Sequence, residues 1–119
     1  MALTFSPEQM ADASEWRFER RLMGVIAESD PTALEVLGTP EGLAMLRKQC
    51  SKARQYGMSA EMDIARYGVS AWLMGPDFDT RFPAIAEVLG AERLSASQKA
   101  EAIERICTAV LLELDQGKA

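Results

Sequence analysis

Apolar residues along this chain recur every three or four positions, and almost nowhere do they alternate in twos. After Ser6-Pro7-Glu8-Gln9, the residues Met10, Ala11, Phe18, Leu22, Val25 and Ile26 line one side of a helix running to about Glu28. Ser6 suits the cap, Pro7 suits the first helical position, and Gln9 completes a capping box. Trp16 and Met23 widen the apolar side, so this helix has one face for its own core and a second for something else. Asp30-Pro31 restarts the chain into a short helix, Thr32 to Leu37, ended by Gly38. Thr39-Pro40-Glu41 repeats the device and opens a third helix, Pro40 to about Tyr56, which should bury Leu43, Leu46, Cys50 and Ala53. Starts this closely spaced imply tight helix-helix connections.

Gly57 reads as a C-cap and Ser59 as the N-cap of a fourth helix, Ala60 to Met74. Ile64, Gly68, Ala71 and Trp72 share one of its sides; Met62, Ala65, Val69 and Leu73 share a neighbouring one. A helix apolar on so much of its circumference is expected at the centre of the fold. Gly68 costs about 1 kcal/mol against alanine in a helix interior, which close approach by another helix would justify. Gly75-Pro76 is a hard stop, because proline cannot donate the next backbone hydrogen bond. The loop Phe78-Asp79-Thr80-Arg81-Phe82-Pro83 follows, and its two rings either fold back as plugs or stand out as contacts. Ala84 to Leu89 forms a short helix capped by Gly90. Ser95-Ala96-Ser97-Gln98 is a second capping box, opening a last helix to about Asp115 with Ala100, Ile103, Cys107, Val110, Leu111 and Leu114 facing inward. The tail, Gln116 to Ala119, is expected to fray. The pattern therefore predicts an all-α protein, a single domain built as a compact bundle of about four main helices plus two short ones. The echo between Ala53-Arg54-Gln55-Tyr56-Gly57 and Ala65-Arg66-Tyr67-Gly68 is too short to be a structural repeat.

Composition narrows the function more than the fold. A hydrophobic fraction of 48% over 119 residues fits one self-sufficient core. No apolar run approaches the ~20 residues that cross a bilayer, and the first residues lack the basic and apolar regions of a signal peptide. A cytoplasmic protein with no membrane insertion is the expectation. A net charge of -5 argues against nucleic acid, whose binding rests on phosphate neutralisation. The basic clusters Arg17, Arg20, Arg21 and Arg47, Lys48, Lys52, Arg54 are mixed with acids or spread round a helix, and read as solvated faces. Cys50 and Cys107 lie on apolar faces and read as buried reduced thiols.

The chain has no histidine. That removes the commonest general base, the Ser-His and Cys-His pairs and most transition-metal sites, so neither an enzyme nor a metal or other cofactor is expected. Asp77-Phe78-Asp79 invites a calcium reading, but Arg81 and Phe82 stand where an EF-hand loop needs an oxygen ligand and a glycine. Asp79 or Thr80 instead suits a cap for the next turn, with Asp77 solvated. Glu61 and Asp63 sit at a helix start, where acids favour the dipole. Seven methionines suit either core filling or an adaptable binding surface. Trp72 falls in with the core periodicity, while Trp16 is open to either role.

The run Arg54-x-Tyr56-Gly57-Met58-x-x-Glu61-x-Asp63-Ile64-x-Arg66-Tyr67, then Met74-Gly75-Pro76-Asp77-Phe78-Asp79 and Phe82-Pro83, resembles small helical proteins encoded beside bacterial type VI secretion genes, near spike, PAAR-tip and effector genes. The opening Leu3-Thr4-Phe5-Ser6-x-Glu8-Gln9-Met10 is similar more loosely, and the last helix is outside the shared pattern. The resemblance implies a non-enzymatic accessory, an adaptor or co-chaperone for a secreted effector, and it brings no catalytic residues. Trp16, Tyr56, Tyr67, Phe78, Asp79 and Phe82 are the expected protein-binding residues. The alternative is an immunity protein that blocks a cognate toxin, since an acidic surface suits a basic nuclease. Apolar residues on more than one side of the first helix also leave room for a homo-oligomer.

Overall fold

The computed structural model describes the backbone of residues 7–117 and the side chains of residues 14–114. Among the described residues there are seven helices and no strand: α1 (Pro7–Ser29), α2 (Ala33–Leu37), α3 (Pro40–Gln55), α4 (Glu61–Met74), α5 (Phe78–Arg81), α6 (Pro83–Gly90) and α7 (Ala96–Gly117). The all-α bundle of four long helices is as expected. The Ser6–Gln9 capping box and the burial of Met10 and Ala11 fall outside the described side chains. So does the end of the tail, although α7 itself runs through Gln116 to Gly117.

Capping chemistry accounts for the starts of α3 and α7. Thr39 Oγ1 accepts a hydrogen bond from the Gly42 N–H at 3.0 Å, and Pro40 fills the first position of α3. Ser95 and Gln98 form the reciprocal box at α7: Gln98 N–H donates to Ser95 Oγ and Ser95 N–H to Gln98 Oε1. Gly57 and Gly75 adopt φ of +94° and +109°, which suits residues without a Cβ. Three expectations need correction. Ala60, not Ser59, is the residue at the start of α4, and Ser59 lies one position too early to bond the first turn. Gly90 is the last residue of α6, and Ala91 caps it. The Phe78–Phe82 stretch is not a loop but the single turn α5 leading directly into α6, and Phe82 rather than Asp79 or Thr80 precedes α6.

Helix α4 is central and packs on α1, α3, α5 and α7. Gly68 does admit close approach: a Cβ there would lie 3.1 Å from Leu22 Cδ2 of α1. Tyr67, Phe78, Leu22, Ile26, Leu37, Met58, Ile85 and Ile103 are the largest apolar side chains with almost no exposure. Cross-helix contacts give the directions. Arg21 meets Glu61, Leu22 meets Gly68 and Asp30 meets Trp72, so α1 advances with α4. Ser97 meets Asp63 and Arg66 meets Glu104, so α7 advances with it as well. Against these, α3 runs in reverse, with Arg47 paired to Glu19 and Arg54 to Glu15.

The basic clusters lie largely in solvent, as expected, but several of their members also reach across to acids on other helices. Exposed Arg21, Arg47 and Arg54 pair with Glu61, Glu19 and Glu15, half-buried Lys52 pairs with Asp79, and Glu19 is buried beneath Arg47. The exposed pairs contribute at most about 1 kcal/mol each.

The bundle is flat, with extents of 61 × 36 × 19 Å. Its radius of gyration of 15.9 Å exceeds the about 13.5 Å expected of a globule this long. A thickness of 19 Å fits two helix layers at the usual spacing of about 8–10 Å. Helices α1 and α7 both lie on α4 and barely touch each other. Several residues expected inside are therefore less covered: Val25, Met62, Leu73 and Leu114 are exposed, and Leu43, Trp72 and Val110 are half-buried.

One prediction arises from α1. Gly24 sits mid-helix, and a methyl group added there would have nothing within 4 Å, so Gly24→Ala gains helix propensity at no steric cost. Thermal melts should show stabilisation by about 0.5–1 kcal/mol.

Candidate functional site

The stretch from Tyr56 to Phe82 builds a junction where α3, α4 and α5 meet. Gly75-Pro76 turns the chain so that α5 folds back on the bundle, and Phe78 enters the core edge-on to Tyr67 at 4.9 Å between ring centroids. Tyr67 also lies 5.9 Å from Tyr56. The Tyr56 hydroxyl donates to Asp79 Oδ2 at 2.7 Å, and Lys52 Nζ donates to Asp79 Oδ1 at 2.7 Å. Lys52 Nζ and Gln49 Nε2 both donate to the Pro76 carbonyl, at 3.0 and 3.1 Å. Helix α3 thus grips the turn that α4 leaves. The Tyr67 hydroxyl and Gln49 Oε1 are buried without a hydrogen-bond partner among the described residues.

Burial alone would raise the Asp79 carboxyl, but the bonds from Lys52 and Tyr56 outweigh it and hold the group below the ordinary range. Burial, and then the Asp79 carboxylate, push Tyr56 up to about 12. Burial and the same charge also raise Tyr67. These are the two tyrosines of the chain. Because both folded values lie above the ordinary 10, this contribution to stability is complete below pH 10 and is lost as pH rises through about 12. An ultraviolet phenolate titration should show no ionisation near pH 10 in the folded protein, followed by cooperative unfolding in alkali. A tyrosine titrating normally at pH 10 would contradict the junction geometry.

The expected binding residues divide accordingly. Tyr67, Phe78 and Asp79 are interior and present no surface to a partner. Tyr56 and Phe82 are half-buried against the core, with Arg81 5.8 Å from the centre of the Phe82 ring. Trp16 alone of the six is exposed, at 42%, and stands apart on α1 beside Glu15, Glu19 and Arg47. The structure brings five of the six to one region and uses them largely as a fastening between helices.

A different surface is open. Because α1 and α7 flank α4 without closing over it, the second apolar side of α4 forms the floor of a groove of about 400 Å³. Ala65 and Val69 are its floor, Val25 of α1 and Leu111 of α7 form its walls, and Met62 and Leu73 mark its two ends. Arg66 and Glu104, paired at 2.7 Å, lie along the α7 side. Cys107 also lines it, but burial raises its thiol, as burial pushes Cys50 up to about 11, so both are unreactive at neutral pH. Both cysteines are free. The periodicity of α4 signalled this face; nothing in it signalled that the face stays uncovered.

Among the described residues no group of acidic side chains and thiols is arranged to hold a metal ion, and no helix is long and apolar enough to cross a membrane. The chain matches no protein-family model, no curated protein and no solved structure.

Proposed function

We propose that this chain is a non-enzymatic protein-binding accessory, acting in the cytoplasm, whose docking surface is the groove over α4. The observation that carries the reading is an apolar helix face left open between two parallel neighbours, on a bundle only two helix layers thick. An apolar groove of this form takes an amphipathic helix, with apolar anchors in the groove and charges at its rim setting specificity. The absence of histidine is in keeping with binding in place of turnover. The resemblance of the Tyr56 to Pro83 stretch to type VI secretion accessories supports a secreted effector as the partner and an adaptor or co-chaperone as the role.

The test is affinity capture from the native cells with three baits: wild type, Leu73→Glu and Trp16→Ala. Leu73 is an exposed groove residue, so its replacement should leave melting unchanged while removing the partner. Trp16→Ala should retain it. An effector recovered together with delivery components supports the adaptor role. A lone toxin whose activity stops on binding would assign the immunity role in its place. Capture that is indifferent to Leu73→Glu rules the groove out.

A further inference from the structure

The groove has an electrical direction as well as an apolar floor. Helices α1 and α4 run the same way along it and end together: Ser29, the last residue of α1, lines the groove, as does Leu73, one residue before the end of α4. Neither helix has a basic residue in its last turn. Two sets of terminal carbonyls therefore leave the negative ends of two helix dipoles at this end. Exposed Glu28 and Glu113 lie on α1 and α7 toward the same end, and neither forms an ion pair among the described residues. At the opposite end every acid named is paired: Arg21 pairs with Glu61, and Arg66 with both Asp63 and Glu104.

We infer that the occupant of the groove is an amphipathic partner helix lying antiparallel to α4, with Lys or Arg in its first turn against the end where α1 and α4 terminate and toward which Glu28 and Glu113 lie. This deepens the protein-binding reading above and rests on it. An antiparallel helix sets its positive N-terminus on the two negative C-termini and its negative C-terminus toward the positive N-terminal end of α4. About 400 Å³ accommodates a stripe of roughly three or four apolar side chains, the number one face presents over two helical turns. A second copy of this chain fits less well, because two recessed α4 faces brought together would enclose a void between them.

Two synthetic helical peptides test it. Each carries the same leucine stripe; one has Lys in its first turn and Glu in its last, and the other has these charges exchanged. The exchanged peptide is the better isolated helix, since acids favour helix N-termini, so intrinsic helicity works against the expected result. The Lys-first peptide should bind about tenfold more tightly at low salt, and the preference should shrink as salt screens it. Glu28→Gln with Glu113→Gln should narrow the preference without loss of folding. A nitroxide on the peptide N-terminus should broaden amide signals of Ser29, Leu73 and Leu111 and spare Met62.

Equal binding of the two peptides, preference for the exchanged one, or broadening at Met62 instead overturns the inference. Self-association abolished by Leu73→Glu also overturns it, by placing a second copy in the groove. If neither peptide binds while the captured partner still requires Leu73, the inference fails and the protein-binding reading stands. If the partner is indifferent to Leu73 as well, both fail.

Discussion

Gly42→Ala is expected to destabilise the protein by at least about 3 kcal/mol, lowering the melting midpoint by about 10 °C or more. Ordinarily this exchange in a helix favours folding by about 1 kcal/mol. Here a Cβ would sit 1.9 Å from the Val36 carbonyl oxygen and 2.6 Å from its carbon, within the backbone of α2. No side-chain rotation relieves a clash with backbone; α2 must move away from α3. Moving it would also disturb the Thr39 cap, whose hydroxyl accepts from Gly42 N–H and donates to Val36 O. Gly24→Ala, chemically the same change in open space, is the control and should shift the midpoint the other way. Equal effects at the two positions would contradict the α2–α3 contact.

Asp79→Asn should destabilise by about 3 kcal/mol, the range expected when one partner of a buried ion pair is removed. The Asp79 side chain is 5% exposed and that of Lys52 22%, so little solvent screens the pair. The change leaves the Lys52 ammonium facing an uncharged amide and weakens the Tyr56 bond. Since the folded Asp79 value is depressed, its contribution is present above the ordinary 3.8 and is lost as pH falls through the lower folded value. Urea titrations across that acid range should therefore show wild type losing stability more steeply than Asp79→Asn. Combined with Lys52→Met, the second substitution should cost less than it does alone, because the pair acts as a unit. Additive costs and parallel acid limbs would show that the junction does not depend on this pair.

Most helix boundaries were legible because they are local. Pro7, Thr39-Pro40, Gly57, Gly75-Pro76 and the Ser95–Gln98 box act through their own backbone, and each marks an end in the fold. Where tertiary contact decides, the same reasoning misleads. Phe78 to Phe82 carries loop-like residues, yet burial of Phe78 against Tyr67 organises it as a helical turn. Gly42 looked unremarkable in sequence, since the carbonyl it must admit belongs to another helix. Asp79 read as a cap, because its partner Lys52 lies 27 residues away. The groove was half legible: Met62, Ala65, Val69 and Leu73 declare a second apolar side of α4. Periodicity identifies such a side without saying whether anything covers it. Only the parallel placement of α1 and α7, resting on α4 but not on each other, leaves it open.

Hydrogen exchange of the protein with and without its captured partner is the sharpest check on the groove as the docking surface. Binding there should slow exchange of backbone amides across Met62–Leu73, at the Val25–Ser29 end of α1 and along Cys107–Leu111 of α7, with α3 and the surroundings of Trp16 unchanged. Protection centred on Trp16 and α3, with these three segments unaffected, would contradict it.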